Sequence, residues 1–191
     1  MKKFNFDEIK AKEAIKLLLE SFGEDLNRDG IKRTPERVVE FYKEVLSGNS
    51  IDSLDLVPIS YSSEEHEEIV LIKDVSFYSL CEHHLLPFFG KVHMAYIPQK
   101  DKIVGISKLI GLIEIFANRL QLQERFTKQI SDTVMQLLKP HGVMVIVEAE
   151  HLCMTMRGIK KTGSLVITQS VRGKFSEDEK ARKEAMSLLG K

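Results

Sequence analysis

The chain contains two cysteines, and each stands within three residues of a histidine, in Cys81-Glu82-His83-His84 and in His151-Leu152-Cys153. A fold that uses both pairs must bring the two segments together, and no other feature restricts the topology as much. Cys81 and His84 have the C-x-x-H spacing that lets one tight turn aim two ligands at one metal. His151 and Cys153 lie two apart, so on a strand both side chains point to one face. Thiolate and imidazole together suit zinc, which takes tetrahedral N/S sites. Four neighbouring groups can saturate the ion as a closed structural site; three ligands and a water make a catalytic one. Spacing alone does not choose. His83 tilts the balance towards catalysis, because adjacent side chains diverge and a histidine beside metal-bound water suits proton transfer near neutral pH. The bland alternative is a His83 that caps a turn or faces solvent.

The rest of the chain supplies the frame. Residues 7–22 read as an amphipathic helix with Ile9, Ile15, Leu18, Leu19 and Phe22 on one stripe, ended by Gly23. Thr34-Pro35 reads as the start of a second helix, threonine as cap and proline at the first position. Ser47-Gly48-Asn49-Ser50 breaks that helix, and a linker runs to about residue 65. Residues 67–77 and 90–97 read as strands on either side of the C-x-x-H turn. Helices follow from Ser107, as cap, and over 123–139, the latter with Phe126, Ile130, Val134, Leu137 and Leu138 inward. Strands over 143–154 and 165–171 complete the pattern, and Ser176-x-x-Glu179 reads as a capping box opening a C-terminal helix. In the 143–154 strand, Val143, Val145, Val147, Ala149, His151 and Cys153 share one parity and hence one face. This predicts an α+β domain at 66–191, strand-strand-helix-helix-strand-strand, with antiparallel hairpins and both helices on one face of the sheet. Residues 1–65 form a helical arm and linker before it. Open edges on such a sheet predict oligomerisation.

Composition narrows the function classes. The 28 Lys+Arg balance the 28 Asp+Glu, which gives no electrostatic footprint for nucleic acid or a membrane surface. No apolar run approaches the ~20 residues that span a bilayer, and Met1 is followed by charged sequence rather than a signal region. The chain is therefore expected to be soluble and cytoplasmic, where two cysteines serve a metal more readily than a disulfide.

Further candidates carry two readings each. Ser107-Lys108 at a helix start can hold an anion or act as a plain cap. Glu124 faces a helix dipole favourably and can pair with Lys128. Arg157-Gly158-Ile159-Lys160-Lys161 is a basic cluster for phosphates or a solvated turn. His66, His93 and His141 have no partner pattern and read as ordinary residues.

Taken together these residues resemble the GTP cyclohydrolase I family. The resemblance rests on Ser79-Leu80-Cys81-Glu82-His83-His84, Gly105-Ile106-Ser107-Lys108, Gln123-Glu124-Arg125 with Thr127-Lys128-Gln129-Ile130, and His151-Leu152-Cys153 with Arg157-Gly158. Arg33-Thr34-Pro35 and Arg37 in the arm look similar too. The resemblance implies the tunnelling fold, with sheets joined edge to edge into a barrel, a homodecamer and active sites between subunits. It implies Zn2+ held by Cys81, His84 and Cys153 with an open position for water, and His83 and His151 as catalytic proton-transfer residues. The implied reaction is hydrolytic opening of the imidazole ring of GTP, giving formate and 7,8-dihydroneopterin triphosphate. Glu124 becomes the guanine reader, with Gln123, Ser107, Lys108, Arg157 and Arg37 as further substrate contacts. Two readings compete: a non-catalytic zinc-stabilised nucleotide-binding oligomer, and a paralogue acting on another guanine nucleotide. The fold-sharing nitrile reductase of queuosine synthesis is disfavoured by the complete Cys/His set.

The chain departs from the family pattern at Gly111, where an arginine of the triphosphate clamp is usual, and at Glu40, where some members carry lysine. Glycine inside a helix costs about 1 kcal/mol relative to alanine. A charge-assisted phosphate contact is worth roughly 1.5–3 kcal/mol. Weaker GTP binding is the expectation, with the chemistry at C8 intact.

Overall fold

The computed structural model describes residues 5–51, 67–99 and 104–190. Residues 52–65 of the expected linker, and with them the boundary at residue 65, lie outside the described residues.

Helix α1 (Glu8–Ser21) starts at Asp7, whose carboxylate accepts from the Lys10 N–H at 2.9 Å. It packs against α2 (Thr34–Val45), joined by the ion pairs Lys12–Glu36 and Lys43–Glu8. The apolar stripe of α1 is only partly used: Ile15 and Leu19 are half-buried, while Ile9, Leu18 and Phe22 are exposed. Thr34 is the first residue of α2 and not its cap; Arg33 takes the cap position without a side-chain bond. The Thr34 N–H already donates to the Ile31 carbonyl at 2.7 Å, and Pro35 lacks an N–H to satisfy, so the helix needs no hydroxyl there. A 3-10 turn (Ser47–Ser50) then docks the arm on the main domain. The Gly48 N–H donates to the Asn118 carbonyl at 3.0 Å, and the Arg119 guanidinium reaches back to the carbonyls of Gly48 and Ile51 at 3.0 and 3.1 Å.

The domain is built on β1 (Val70–Cys81), β2 (Pro87–Ile97), β3 (Leu120–Gln121), β4 (Gly142–His151) and β5 (Val166–Gly173), in the spatial order β3-β1-β2-β4-β5. The expected antiparallel hairpins form, and β2 pairs antiparallel with β4 between them. The fifth strand, β3, was not foreseen: it adds two residues parallel to the end of β1, with Cys81 opposite Gln121. Two residues carry too little periodicity to register as a strand in sequence. β5 closes the order on one side and leaves that edge unpaired among the described residues.

Helices α3 (Ile106–Ala117) and α4 (Gln123–Leu138) pack on one face. The alternation of β4 holds as far as Ala149: Val143, Val145, Val147 and Ala149 are all fully buried beneath Leu112, Phe116, Phe126 and Ile130. Burying a valine is worth about 1.5–3 kcal/mol. A one-residue slip would exchange these side chains with Met144 and Ile146, which are buried on the opposite face, and so mis-pack both sides of the strand at once; the register is firmly set. Phe77, edge-on to Phe88 at 5.7 Å and tilted against Phe126 at 4.9 Å between centroids, ties the first hairpin to α4.

The two helices expected on one face are there, and the opposite face, for which the sequence suggested no cover, is not bare either. Ala95, Ile97, Met144 and Ile146 point there and are covered by Phe175 of α6 (Lys174–Glu177) and by Ala181, Ala185 and Leu189 of α7 (Glu179–Leu189). Asp178, not Ser176, caps α7, accepting from the Lys180 and Ala181 N–H groups at 2.8 and 3.2 Å. Gly105 likewise holds the cap position of α3, and Ser107 lies within its first turn. No helix among the described residues is long and apolar enough to cross a membrane.

Candidate metal centre and active site

Cys81 is the last residue of β1, and its backbone shapes the turn that follows. Its carbonyl accepts from the N–H groups of His84 and Leu85 at 3.3 and 2.8 Å, and its own N–H donates to Leu86 at 2.9 Å. Leu85 takes a left-handed conformation (φ 55°) to close this loop. The turn is pinned from outside as well. The Glu82 N–H donates to the Gln121 carbonyl at 3.0 Å, and its carboxylate meets Arg125 of α4 at 2.6 Å. Arg125 holds the Glu82 carboxyl below the usual carboxylate range.

Cys153 reaches the same place by a route that differs from the sequence expectation. The strand was predicted to run to residue 154, with His151 and Cys153 on one face. Instead β4 ends at His151 and the chain coils into α5 (Leu152–Thr155). The Met156 N–H closes that coil on the Leu152 carbonyl at 3.0 Å, and the Lys161 N–H binds the Met154 carbonyl at 3.1 Å. The coil separates the two side chains. Cys153 joins Cys81 and His84, and the ligand atoms of these three residues all lie within 4.8 Å of one another. His151 turns to the core side.

This set fits a metal ion. Both cysteines are free thiols, Cys81 is buried, and no carboxylate belongs to the group. Burial, and after it the neighbouring Cys81 thiol, pushes the Cys153 thiol up. A cation between them would reverse that balance and draw off the thiol protons. Arg157 approaches His84 Nε2 at 3.4 Å, which sets the basic segment 157–161 beside the cluster. The His83 and His84 rings lie 6.3 Å apart with planes 84° to one another, so they diverge, and His83 is exposed.

His151 stacks on Phe88, its cross-strand partner, with centroids 4.6 Å apart and planes within 4°. Its Nε2 lies 2.7 Å from Gln123 Oε1. Burial holds the His151 imidazole below its usual range, while the Glu124 carboxylate pulls the other way. Gln123 is 2% exposed, and its amide nitrogen faces the carbonyls of Val147 and Val166 at 3.0 and 2.9 Å. Its amide hydrogens are thus taken up within the chain and not offered to a ligand.

The remaining candidates are spread more widely. Glu124 is exposed in the first turn of α4, and no ion pair with Lys128 forms among the described residues. Both line a cavity of about 560 Å³ that follows β5 from Thr168 to Arg172. Ser107 and Lys108 sit in the first turn of α3, and Arg37 is exposed on α2. A cleft of about 630 Å³ between Phe41, Glu44, Tyr78 and Glu114 contains none of the expected site residues. Sequence reasoning did not single out Phe88 or the Glu82–Arg125 pair. Only the opposite charges of two residues inside quoted motifs hinted at the pair.

Comparisons with known proteins identify the family. The family model of GTP cyclohydrolase I matches residues 11–190. The GTP cyclohydrolase 1 of Carboxydothermus hydrogenoformans is 54% identical over 184 residues, covering 96% of this chain and 95% of that one. That of Geobacillus kaustophilus is 52% identical over 189 residues, 99% of each chain. That of Clostridioides difficile is 51% identical over 183 residues, 96% of each. Among solved structures, the archaeosine synthase QueF-Like in the apo form aligns with 56% of this chain and 94% of that chain, at 19% identity and a TM-score of 0.42. A family model spanning nearly the whole chain, and end-to-end relatives above half identity, show that the chain belongs to the GTP cyclohydrolase I family of enzymes.

Proposed function

We propose that this enzyme hydrolyses the imidazole ring of GTP to give formate and 7,8-dihydroneopterin triphosphate, with zinc as its resident metal. The observation that carries the reading is the convergence of Cys81, His84 and Cys153, with His83 in the same turn and His151 at the end of β4. Zinc on those three side chains would supply Lewis-acid activation of water.

The chain's own residues do the rest. His83 and His151 exchange protons with the purine ring and the attacking water, as repeated addition and cleavage at one carbon requires. The exposure of His83 lets it reach a ligand, and the stacking of His151 on Phe88 keeps its ring plane fixed. Glu124 reads guanine, because a carboxylate accepts from N1–H and the exocyclic amine together, a match that adenine lacks. Lys108, Ser107, Arg157 and Arg37 meet the triphosphate.

In this reading the site is completed by a second copy within a homodecamer. Two features support that: the β5 edge, unpaired among the described residues, and the exposed apolar residues of α1. We also place the enzyme in the cytoplasm, where free thiols such as Cys81 and Cys153 persist.

The test combines metal analysis with formate release and detection of the fluorescent oxidised pterin from GTP. The expected outcome is stoichiometric zinc with turnover, zinc retained but turnover lost in His83→Ala, and zinc lost in Cys153→Ala. Zinc released by His83→Ala would overturn the ligand assignment. An active enzyme free of metal would overturn the reading as a whole.

A further inference from the structure

Gln123 opens α4 and is almost fully enclosed, so its hydrogen bonds can be traced in full. Its amide nitrogen lies 3.0 Å from the Val147 carbonyl, 2.9 Å from the Val166 carbonyl and 3.2 Å from Thr168 Oγ1. An amide nitrogen only donates and a carbonyl oxygen only accepts. Flipping the amide would set Oε1 against two carbonyl oxygens, so the orientation is determined.

Thr127 and Thr168 supply an independent check on that orientation. Thr127 Oγ1 donates its single hydrogen to the Gln123 carbonyl at 2.7 Å. In the 2.6 Å contact between the two hydroxyls, Thr168 must therefore be the donor. Its hydrogen is then spent, and Thr168 Oγ1 can only accept from Gln123 Nε2. The circuit from the Gln123 amide through Thr168 and Thr127 to the Gln123 carbonyl runs in one direction.

With the nitrogen side committed, Gln123 Oε1 faces His151 Nε2 at 2.7 Å. An amide oxygen only accepts, so this ring nitrogen carries a hydrogen. In the neutral imidazole Nδ1 is then bare, and it has no partner among the described residues. The parallel ring of Phe88 removes the remaining rotational freedom. We propose that Gln123 is a positioning residue that locks His151 in its Nε2–H tautomer, making Nδ1 the nitrogen that exchanges the proton with the substrate.

This rests on the role given above to His151 as a proton-transfer residue, and the test separates the two. Holoenzyme carrying 15N-labelled histidine is examined by magic-angle-spinning NMR at about pH 8, above the ordinary imidazole range. The His151 signals are assigned by their loss in His151→Ala. The expected spectrum shows Nε2 protonated and Nδ1 bare. Gln123→Met, of similar size but unable to accept, should give mixed tautomers. Its kcat should fall roughly tenfold or more, as when other tautomer-fixing partners are removed, with KM for GTP nearly unchanged. Gln123→Glu, which keeps an oxygen for the ring, should retain the Nε2–H tautomer and restore part of kcat.

A protonated Nδ1 in the unmodified enzyme would overturn the inference whether or not any variant folds. An unchanged tautomer in Gln123→Met would overturn it too, and a rise in KM alone would make Gln123 a substrate contact. Full turnover in His151→Ala would instead remove the catalytic role of His151. The lock would then act on an idle ring, and the inference would fall with that role while the hydrogen-bond circuit stood.

Discussion

Gly90→Ala tests how tightly the sheet holds the site. Gly90 lies in β2 opposite Ala149 of β4, two residues from the Phe88–His151 pair. A Cβ placed there overlaps the Glu148 carbonyl oxygen outright and comes within 2.8 Å of Ala149 Cα and of the Glu148 carbonyl carbon, whereas ordinary contacts begin at 3.4 Å. Every atom it meets is backbone in a buried central strand, so no side chain can swing aside. The strands must part, which gives up adjoining ladder hydrogen bonds at about 0.5–1.5 kcal/mol each and disturbs the packing of Val147 and Ala149. Together these place the cost at about 4 kcal/mol or more. For a chain of this size that lowers Tm by roughly 8–16 °C. Thermal and guanidinium unfolding measure it, with Gly105→Ala as the control, because a Cβ at Gly105 meets only Ser107 Oγ at 3.9 Å. The control should lose no more than about 1 kcal/mol, the cost of alanine in place of glycine at a helix cap. Should Gly90→Ala melt within a degree or two of the unmodified protein, the steric reasoning fails.

Gly111→Arg should tighten GTP binding by roughly 1.5–3 kcal/mol, about ten- to a hundredfold, and leave kcat nearly unchanged; titration calorimetry showing no gain would dispose of the clamp argument. Glu124→Ala should abolish guanine recognition without altering zinc content, and retained GTP turnover would refute its role. The depressed His151 imidazole makes stability depend on pH. The unfolded chain takes up a proton near 6.5 that the folded chain resists, so stability is full above that value and falls as pH drops towards the folded pKa. Guanidinium midpoints of the metal-free protein should decline between about pH 7.5 and about pH 5.5, and decline less in His151→Gln.

The parts of the molecule that could be read from sequence are those governed by period and by rare residues. Val143, Val145 and Val147 share one parity and pack together into the core beneath α3 and α4, as a period of two requires. Phe126, Ile130 and Val134 recur at helical spacing and face the same core. The misreadings occur where a local signal had competitors a residue or two away. Thr34, Ser107 and Ser176 each have capping side chains, yet the caps fall at Arg33, Gly105 and Asp178. Any residue that enters the helix one position early takes the cap position, and propensity differs little between neighbours. The covering of the second face by α6 and α7 was hidden for a different reason: Ala181 and Ala185 are weak hydrophobic markers, and their partners Met144 and Ile146 lie far off in sequence.

The early end of β4 is the misreading with the largest chemical consequence. β1 and β4 are not neighbours, since β2 runs between them, so their axes lie about 9–10 Å apart. Had β4 continued as a strand, Cys153 would have stayed in register beyond Phe88, two strand spacings from Cys81 and on the same face as His151. The coil of α5 makes the convergence possible: it packs back against β2 and lets the Cys153 sulfur close to within 4.8 Å of Cys81 and His84. The same coil releases His151 from the ligand set, leaving its ring to Phe88 and Gln123. One local change from extended to helical backbone at Leu152 thus divides the His-x-Cys motif into a metal ligand and a separate ring nitrogen.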